Sequence, residues 1–160
     1  MKKNKLLLAS AIMISILTPM SQVKADWKRD NVGWWYSLNN GSYYKNTGAY
    51  IDGKWYRFDD RGYMMTGWQP IAERNATSLK NINWSYFDPV NGDQKIGWQN
   101  IDGKWYYLTR SGALIGEQYM DGKSYYFDPV NGDMKTGWIS NSGYSGTEWN
   151  YYDPVSGEKA

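Results

Sequence analysis

Aromatic and polar residues alternate along this chain in a pattern that returns about every twenty residues. Each return carries a four-residue aromatic cluster, flanked by glycine, asparagine and charged residues that are poor core material. Successive side chains of a strand point to opposite faces, so clusters of this kind are typical of half-buried β-strands. The six clusters are WYSL at 35–38, WYRF at 55–58, WSYF at 84–87, WYYL at 105–108, SYYF at 124–127 and WNYY at 149–152.

A second strand precedes each cluster, so the repeating unit is predicted to be a β-hairpin. The clearest turns are Asp52-Gly53, Asp102-Gly103 and Asp121-Gly122, a pair suited to the positive φ angles of a two-residue hairpin turn. A single hairpin is marginally stable in water, so the units must bury their aromatic faces against neighbours. The pattern predicts an all-β solenoid of about six stacked hairpins, without helices.

The two faces of each hairpin carry different side chains. The first and third cluster positions are mostly tryptophan and tyrosine, which are too large for a two-stranded unit to bury completely. For any single tryptophan, packing between hairpins stays an open alternative. The set of rings favours a ligand, because aliphatic residues would fill a core more readily and aromatic faces attract soft cations. The fourth position is predicted core and holds Leu38, Phe58, Phe87, Leu108, Phe127 and Tyr152.

The first 25 residues have the layout of a secretory signal and are expected to be removed. Three lysines precede an apolar run at 6–17, and small residues before Asp26 offer a cleavage site. The run is too short to span a bilayer. Removal changes 18 basic and 16 acidic residues to 14 and 16. The exported part, 26–160, is slightly acidic with scattered lysines, which argues against a nucleic-acid partner; no second long apolar segment predicts membrane insertion.

The composition excludes several kinds of chemistry. With no histidine and no cysteine, the chain lacks disulfides, thiolate or imidazole metal sites and histidine acid–base catalysis. Repeats occupy the chain after the leader, so no catalytic module, cofactor or metal is predicted. The DPVNGD loops at 88–93 and 128–133 raise calcium as an alternative, but turn chemistry explains their Pro, Gly and Asp residues better.

The stretch GWQNIDGKWYYLTRSGALIG at 97–116, together with RGYMMTG at 61–67, resembles the cell-wall-binding repeats of choline-binding proteins. The resemblance covers the whole of 26–160. It implies a β-solenoid in which choline, carried as phosphorylcholine on teichoic and lipoteichoic acids, lies between successive hairpins. It also implies a non-catalytic protein that is secreted and retained on the bacterial cell wall. The ligand would be boxed by two tryptophans of one unit, an aromatic residue of the next, and often a methionine lid.

Two boxes are complete when the family pattern is carried over. One would use Trp68 and Trp84 with Tyr107 of the following unit. The other would use Trp98 and Trp105 with Tyr126, and Leu114 in place of the usual methionine. Strand alternation alone selects the third-position tyrosine as the third wall.

The other boundaries depart from the pattern. At the second unit Ala49 replaces the Gly-Trp tryptophan, which leaves a partial box of Trp55, Met65 and Tyr86, with Tyr50 beside it. At the fifth unit Glu117 and Ser124 replace both tryptophans, so that site is expected to be lost. In the sixth unit, Trp138 and Trp149 either cap the array or complete a site across a dimer, and both alternatives stay open.

A glucan-binding module is the alternative function, because tryptophan faces stack on sugar rings as readily as on choline. The insertion at 69–83 is either a decoration or a surface for a partner. As a chain of binding units, the protein is expected to modulate choline-dependent autolysins or to present loops to a host protein, and the sequence does not select between these roles.

Overall fold

The computed structural model describes residues 24–71, 83–143 and 146–160, and every regular element in these ranges is a β-strand. The predicted leader, apart from its last two residues, and most of the insertion lie outside the described residues. No helix in the described ranges is long and apolar enough to cross a bilayer. The all-β prediction is confirmed for this part of the chain.

Six antiparallel hairpins follow one another, β1–β2, β3–β4, β5–β6, β7–β8, β10–β11 and β13–β14, and the short strands β9 and β12 extend the fourth and fifth. We number the hairpins one to six in chain order. The strands are β1 Asp26–Arg29, β2 Trp34–Ser37, β3 Thr47–Ile51, β4 Lys54–Phe58, β5 Gly67–Ile71, β6 Asn83–Phe87, β7 Gly97–Ile101, β8 Lys104–Thr109, β9 Gly112–Ala113, β10 Gly116–Met120, β11 Lys123–Phe127, β12 Met134–Lys135, β13 Gly137–Gly143 and β14 Gly146–Tyr152.

The three Asp-Gly turns close hairpins as the sequence predicts. In the fourth hairpin, Asp102 and Gly103 have φ angles of 50° and 78°. Both angles are positive, which is the requirement of the two-residue turn whose twist matches the flanking strands. This turn fixes the register, and it places Trp98 opposite Tyr107 and Asn100 opposite Trp105.

Each hairpin has an A face, which carries the first and third cluster positions, and a B face, which carries the second and fourth. The fourth position forms the core: Phe58, Leu108 and Phe127 are each at most 1% exposed. Phe87 and Tyr152 are buried in the same way. A buried ring of this size removes a large apolar area from water, which stabilises the stack.

Successive hairpins pack with the A face of one against the B face of the next. The Trp98 ring, on the A face of the fourth hairpin, lies 5.0 Å from Tyr125 and 5.7 Å from Phe127 on the B face of the fifth. Backbone hydrogen bonds also join successive hairpins: the Met64 amide of the second hairpin donates to the Trp34 carbonyl of the first at 2.6 Å. All hairpins are therefore stacked in the same orientation, and an A face meets a B face at every boundary.

The first hairpin is shifted by one residue from the predicted alignment. Ser37, not Leu38, is the buried fourth position, at 6% exposed, and it pairs with Tyr43 as Phe58 pairs with Met64. Leu38 follows the strand and is only half-buried. The cluster of this hairpin thus begins at Trp34, because the pairing of β1 with β2, rather than the letters WY, sets the register.

The DPVNGD loops hold ion pairs that join neighbouring hairpins. Asp88 accepts bonds from the backbone amides of Val90 and Asn91, which is the turn chemistry expected of this residue. Its other oxygen lies 2.9 Å from the Lys95 ammonium, and buried Asp93 contacts both Lys95 and Lys54 of the preceding hairpin. Lysine ammonium groups thus occupy the space next to these carboxylates, and no group of three or more acidic residues suited to a metal is found in the described ranges.

Acid is expected to weaken this loop. Bonds from the backbone amides, first that of Asn91, together with Lys95 lower the pKa of Asp88 to about 2 from its ordinary value of 3.8. A lowered native pKa stabilises the fold above about pH 4, and this contribution is lost as the pH falls through 2. The melting temperature followed by circular dichroism between pH 5 and pH 2 should therefore fall less steeply in Asp88→Asn than in the parent. Equal slopes would contradict the assignment.

Candidate functional site

The boundary between the fourth and fifth hairpins forms an open aromatic cage. We number the cages in chain order, and this one is the third cage. Trp98 and Trp105 lie on the A face of the fourth hairpin, with their ring centroids 6.4 Å apart and an angle of 79° between the ring planes. Tyr125, on the B face of the fifth hairpin, lies edge-on to Trp98. Met134 closes one side of a cavity of about 340 Å³, and Val155 and Ser156 of the sixth hairpin's loop line its rim. No charged side chain lines this cavity.

The structure brings together Trp98 and Trp105, but it places different residues at the third wall and lid than the sequence predicted. The third wall is Tyr125, at the second cluster position; Tyr126 points to the other face and lies 5.9 Å from Tyr152. Unlike faces meet in the stack, so the next hairpin presents its second position to the cage. The lid is Met134 rather than Leu114, because the lid residue pairs with the core position of that next hairpin, Phe127.

The same correction applies to the box predicted between the third and fourth hairpins, which we call the second cage. Trp68 lies 4.9 Å from Tyr106, and Trp84 stands on the same A face and is 42% exposed. Tyr107, the predicted wall, instead packs 5.4 Å from Trp98 of its own hairpin. Burial, followed by the Asp133 carboxylate, raises the pKa of Tyr106, so its ring stays neutral at physiological pH.

A further cage, the first cage, was missed by sequence reasoning. Trp27 and Trp34 of the first hairpin face Tyr56 and Met64 of the second across a cavity of about 610 Å³. The Trp27 and Tyr56 centroids are 4.8 Å apart. Trp27 follows no glycine, and the turn of the first hairpin is not Asp-Gly, so the repeat pattern does not predict Trp27 as a cage residue. The seven-residue spacing from Trp27 to Trp34, the same as from Trp98 to Trp105, is the signal that could have found it.

Between the second and third hairpins, the residues that the structure describes form no cage with two tryptophans. Gly48, not Ala49, occupies the position of the missing tryptophan, because Gly48 pairs with the third cluster position, and Ala49 is buried on the B face. Trp55 lines a small cavity there with Arg57 and Arg110. The other members of the predicted partial box lie elsewhere: Met65 does not line the cavity, Tyr86 packs 5.1 Å from Trp68, and Tyr50 lies 5.6 Å from Trp55 on its own hairpin.

An ion pair fills the boundary between the fifth and sixth hairpins. Glu117 stands where the first tryptophan would be, and the Lys159 ammonium, from the lid position, donates to it at 2.7 Å. The Lys159 ammonium of the protein itself thus lies at this boundary. Beyond this boundary, Trp138 and Trp149 are 68% and 62% exposed, and Trp138 packs only against Tyr151 of its own hairpin among the described rings.

Family models match the array along much of its length. A model described as a choline-binding repeat matches residues 95–136 and 114–160, and one described as a putative cell wall binding repeat matches residues 49–64. The chain belongs to the choline-binding repeat family. The matched segments are binding repeats and not catalytic domains.

Choline-binding repeats of known structure superpose on this chain. Choline-binding protein F of Streptococcus pneumoniae is 38% identical with a TM-score of 0.70, over 84% of this chain and 40% of that one. The endolysin of phage Cp-1, solved in complex with choline, is 30% identical with a TM-score of 0.53, over 89% and 39%. Glucosyltransferase-S of Streptococcus downei is 32% identical over 57% of this chain and 6% of its own. The chain spans less than half the length of these relatives.

Proposed function

We propose that this protein is a non-catalytic module that binds choline of phosphorylcholine-decorated teichoic and lipoteichoic acids and so attaches to the bacterial cell wall. The observation that carries the proposal is the third cage, where Trp98, Trp105 and Tyr125 surround an open cavity beneath Met134. The relatives in the choline-binding repeat family, including an endolysin solved with choline, support the same ligand.

The chemistry of the cage suits a quaternary ammonium. A trimethylammonium group donates no hydrogen bond, so it needs polarisable apolar surface rather than polar partners. Aromatic faces supply that surface together with a negative quadrupole. None of the residues that line the third cage is charged, so no positive charge in its lining repels the ligand.

The expected affinity of one cage is low, and several cages act together. A desolvated cation–π contact contributes about 2 kcal/mol at best, so three rings give a dissociation constant on the order of millimolar after the costs of association. A polymer with many cholines engages the three cages at high effective concentration and is held much more firmly.

The test separates choline from glucan, the second candidate, which the likeness to Glucosyltransferase-S favours. The protein is loaded on a tertiary-amine resin and on immobilised dextran, and each is washed with free choline and with soluble dextran. The proposal expects retention on the amine resin and release by choline. Retention on dextran with release by soluble dextran, and no effect of choline, would contradict the proposed choline binding.

The lid of the third cage gives a sharper prediction. Gly157 has a φ of 75°, and a Cβ at this residue would lie 2.4 Å from the Met134 sulfur. Gly157→Ala should therefore displace the lid and weaken choline binding at this cage about threefold to tenfold, equivalent to roughly 1 kcal/mol of lost contact. Gly103→Ala is the matched control, with a φ of 78° and no atom within 4 Å of the added Cβ. Equal affinities in the two variants, measured by calorimetry, would contradict the role of the lid.

The biological role follows from occupancy of wall choline. We propose export by the leader at 1–25 and modulation of autolysins that need the same choline, or display of loops to a host protein. We also propose that a second copy closes the exposed pair Trp138 and Trp149 in a dimer. A deletion strain with parental autolysis and parental host adhesion would refute the proposed biological role. A monomer by ultracentrifugation in choline would refute the proposed dimer.

A further inference from the structure

The first cage differs from the third in its charge. Two cations, Arg29 and Lys54, stand among its lining residues, and no carboxylate does. Lys54 is already paired with Asp93 at 3.4 Å. Arg29 forms no ion pair within the described ranges; its guanidinium lies over the Trp34 ring, 5.5 Å from the centroid. An unpaired positive charge therefore stands at the edge of a cage built for a positive ligand.

The position of Arg29 is specific to this cage. Arg29 is paired across the hairpin with Trp34, the first cluster residue. The residue at the same register is Pro70 opposite Trp84 in the second cage and Asn100 opposite Trp105 in the third. Of the three cages, the first is thus the one in which the residue paired opposite the second tryptophan is charged.

We propose that Arg29 makes the first cage selective for choline carried as a phosphate ester over free choline. The inference rests on the proposed function. A cation at the rim repels a bare quaternary ammonium but attracts the phosphate of a phosphorylcholine, whose ester oxygen lies only two methylene groups from the ammonium. Guanidinium presents several donors in a planar fork that suits phosphate oxygens. The larger cavity, about 610 Å³ against about 340 Å³, leaves room for the extra group.

The test compares two probes at single cages. Trp84→Ala with Trp105→Ala leaves the first cage, and Trp34→Ala with Trp84→Ala leaves the third. Calorimetry gives the dissociation constants of choline and glycerophosphocholine, a diester of fixed charge. In the first-cage background, Arg29→Gln should reduce the preference for the ester about threefold to fivefold, the range of an exposed charge pair, and Arg29→Lys should retain most of it. In the third-cage background, Asn100→Arg should raise the preference by a similar factor.

An unchanged preference in Arg29→Gln would overturn the inference even where both probes bind. If neither probe binds in any background, the proposed function itself fails, which is a different outcome. Circular dichroism of each variant serves as the control that the hairpins are intact. The gain in Asn100→Arg tests the effect of the positive charge without any change at Arg29.

Phosphorylcholine esters occur both on wall polymers and as lipid headgroups, and two sedimentation arms distinguish them. The parent and Arg29→Gln are sedimented with choline-containing cell walls and with phosphatidylcholine vesicles. Arg29-dependent sedimentation with walls alone assigns the ester to the polymer, and sedimentation with vesicles as well extends it to the lipid. Sedimentation that is independent of Arg29 in both arms counts against the inference.

Discussion

Substitution of Trp105 by alanine is expected to weaken choline binding at the third cage about tenfold while leaving the fold intact. The side chain is 45% exposed, and its one ring contact among the described aromatic pairs is Trp98 at 6.4 Å. Removing it takes away one wall and a cation–π contact of roughly 1–2 kcal/mol, but little buried area. Calorimetry with choline in the Trp34→Ala, Trp84→Ala background measures the loss.

Two further variants separate binding from stability. Trp98→Ala should abolish binding at this cage and also lower the free energy of unfolding by about 2–3 kcal/mol, because Trp98 packs on Tyr107, Tyr125 and Phe127. Trp55→Ala is the matched control, since Trp55 holds the same cluster position, is 39% exposed and faces no second tryptophan. A Trp55 variant as defective as the Trp105 variant would mean that the cages are not the binding sites.

The largest effect on stability is expected from Phe127→Ala. Phe127 is fully buried, lies under Trp98 and fills the fourth cluster position of the fifth hairpin. Truncation leaves a cavity and costs about 3–5 kcal/mol. Hairpins in a repeat array stabilise one another through their shared boundaries, so both neighbouring boundaries should loosen.

Urea denaturation followed by tryptophan fluorescence tests this prediction. The exposed Val130, 80% exposed in the adjoining loop, supplies the control, and Val130→Ala should change the free energy of unfolding by less than about 0.5 kcal/mol. A Phe127→Ala midpoint within that range would show that the fourth position is not the core.

The fold could be predicted because it depends on local signals that repeat. The period of about twenty, the Asp-Gly turns and strand alternation each act within one hairpin, and they support one another in the hairpins that carry all three. The register predictions are wrong where residue types alone suggest an alignment that the strand pairing does not follow. The repeat pattern places Ala49 at the tryptophan position and Leu38 in the core, whereas strand pairing and burial place Gly48 and Ser37 there.

The site could be predicted only in part, because it lies between hairpins. Trp98 and Trp105 belong to one strand pair, so alternation places them on one face. Which face the next hairpin presents is decided by stacking, and no pattern within one repeat contains that information. The third wall is consequently Tyr125 and not Tyr126, and the lid is Met134. The ion pair of Glu117 with Lys159 likewise joins residues 42 positions apart in the sequence.

A crystal structure of the protein grown in choline tests the central claim most directly. A trimethylammonium group is expected within about 6 Å of the ring centroids of Trp98, Trp105 and Tyr125, with equivalent ligands in the first and second cages and none at the Glu117–Lys159 boundary. Choline bound away from all three cages, or cages that stay empty while choline binds elsewhere, would contradict it.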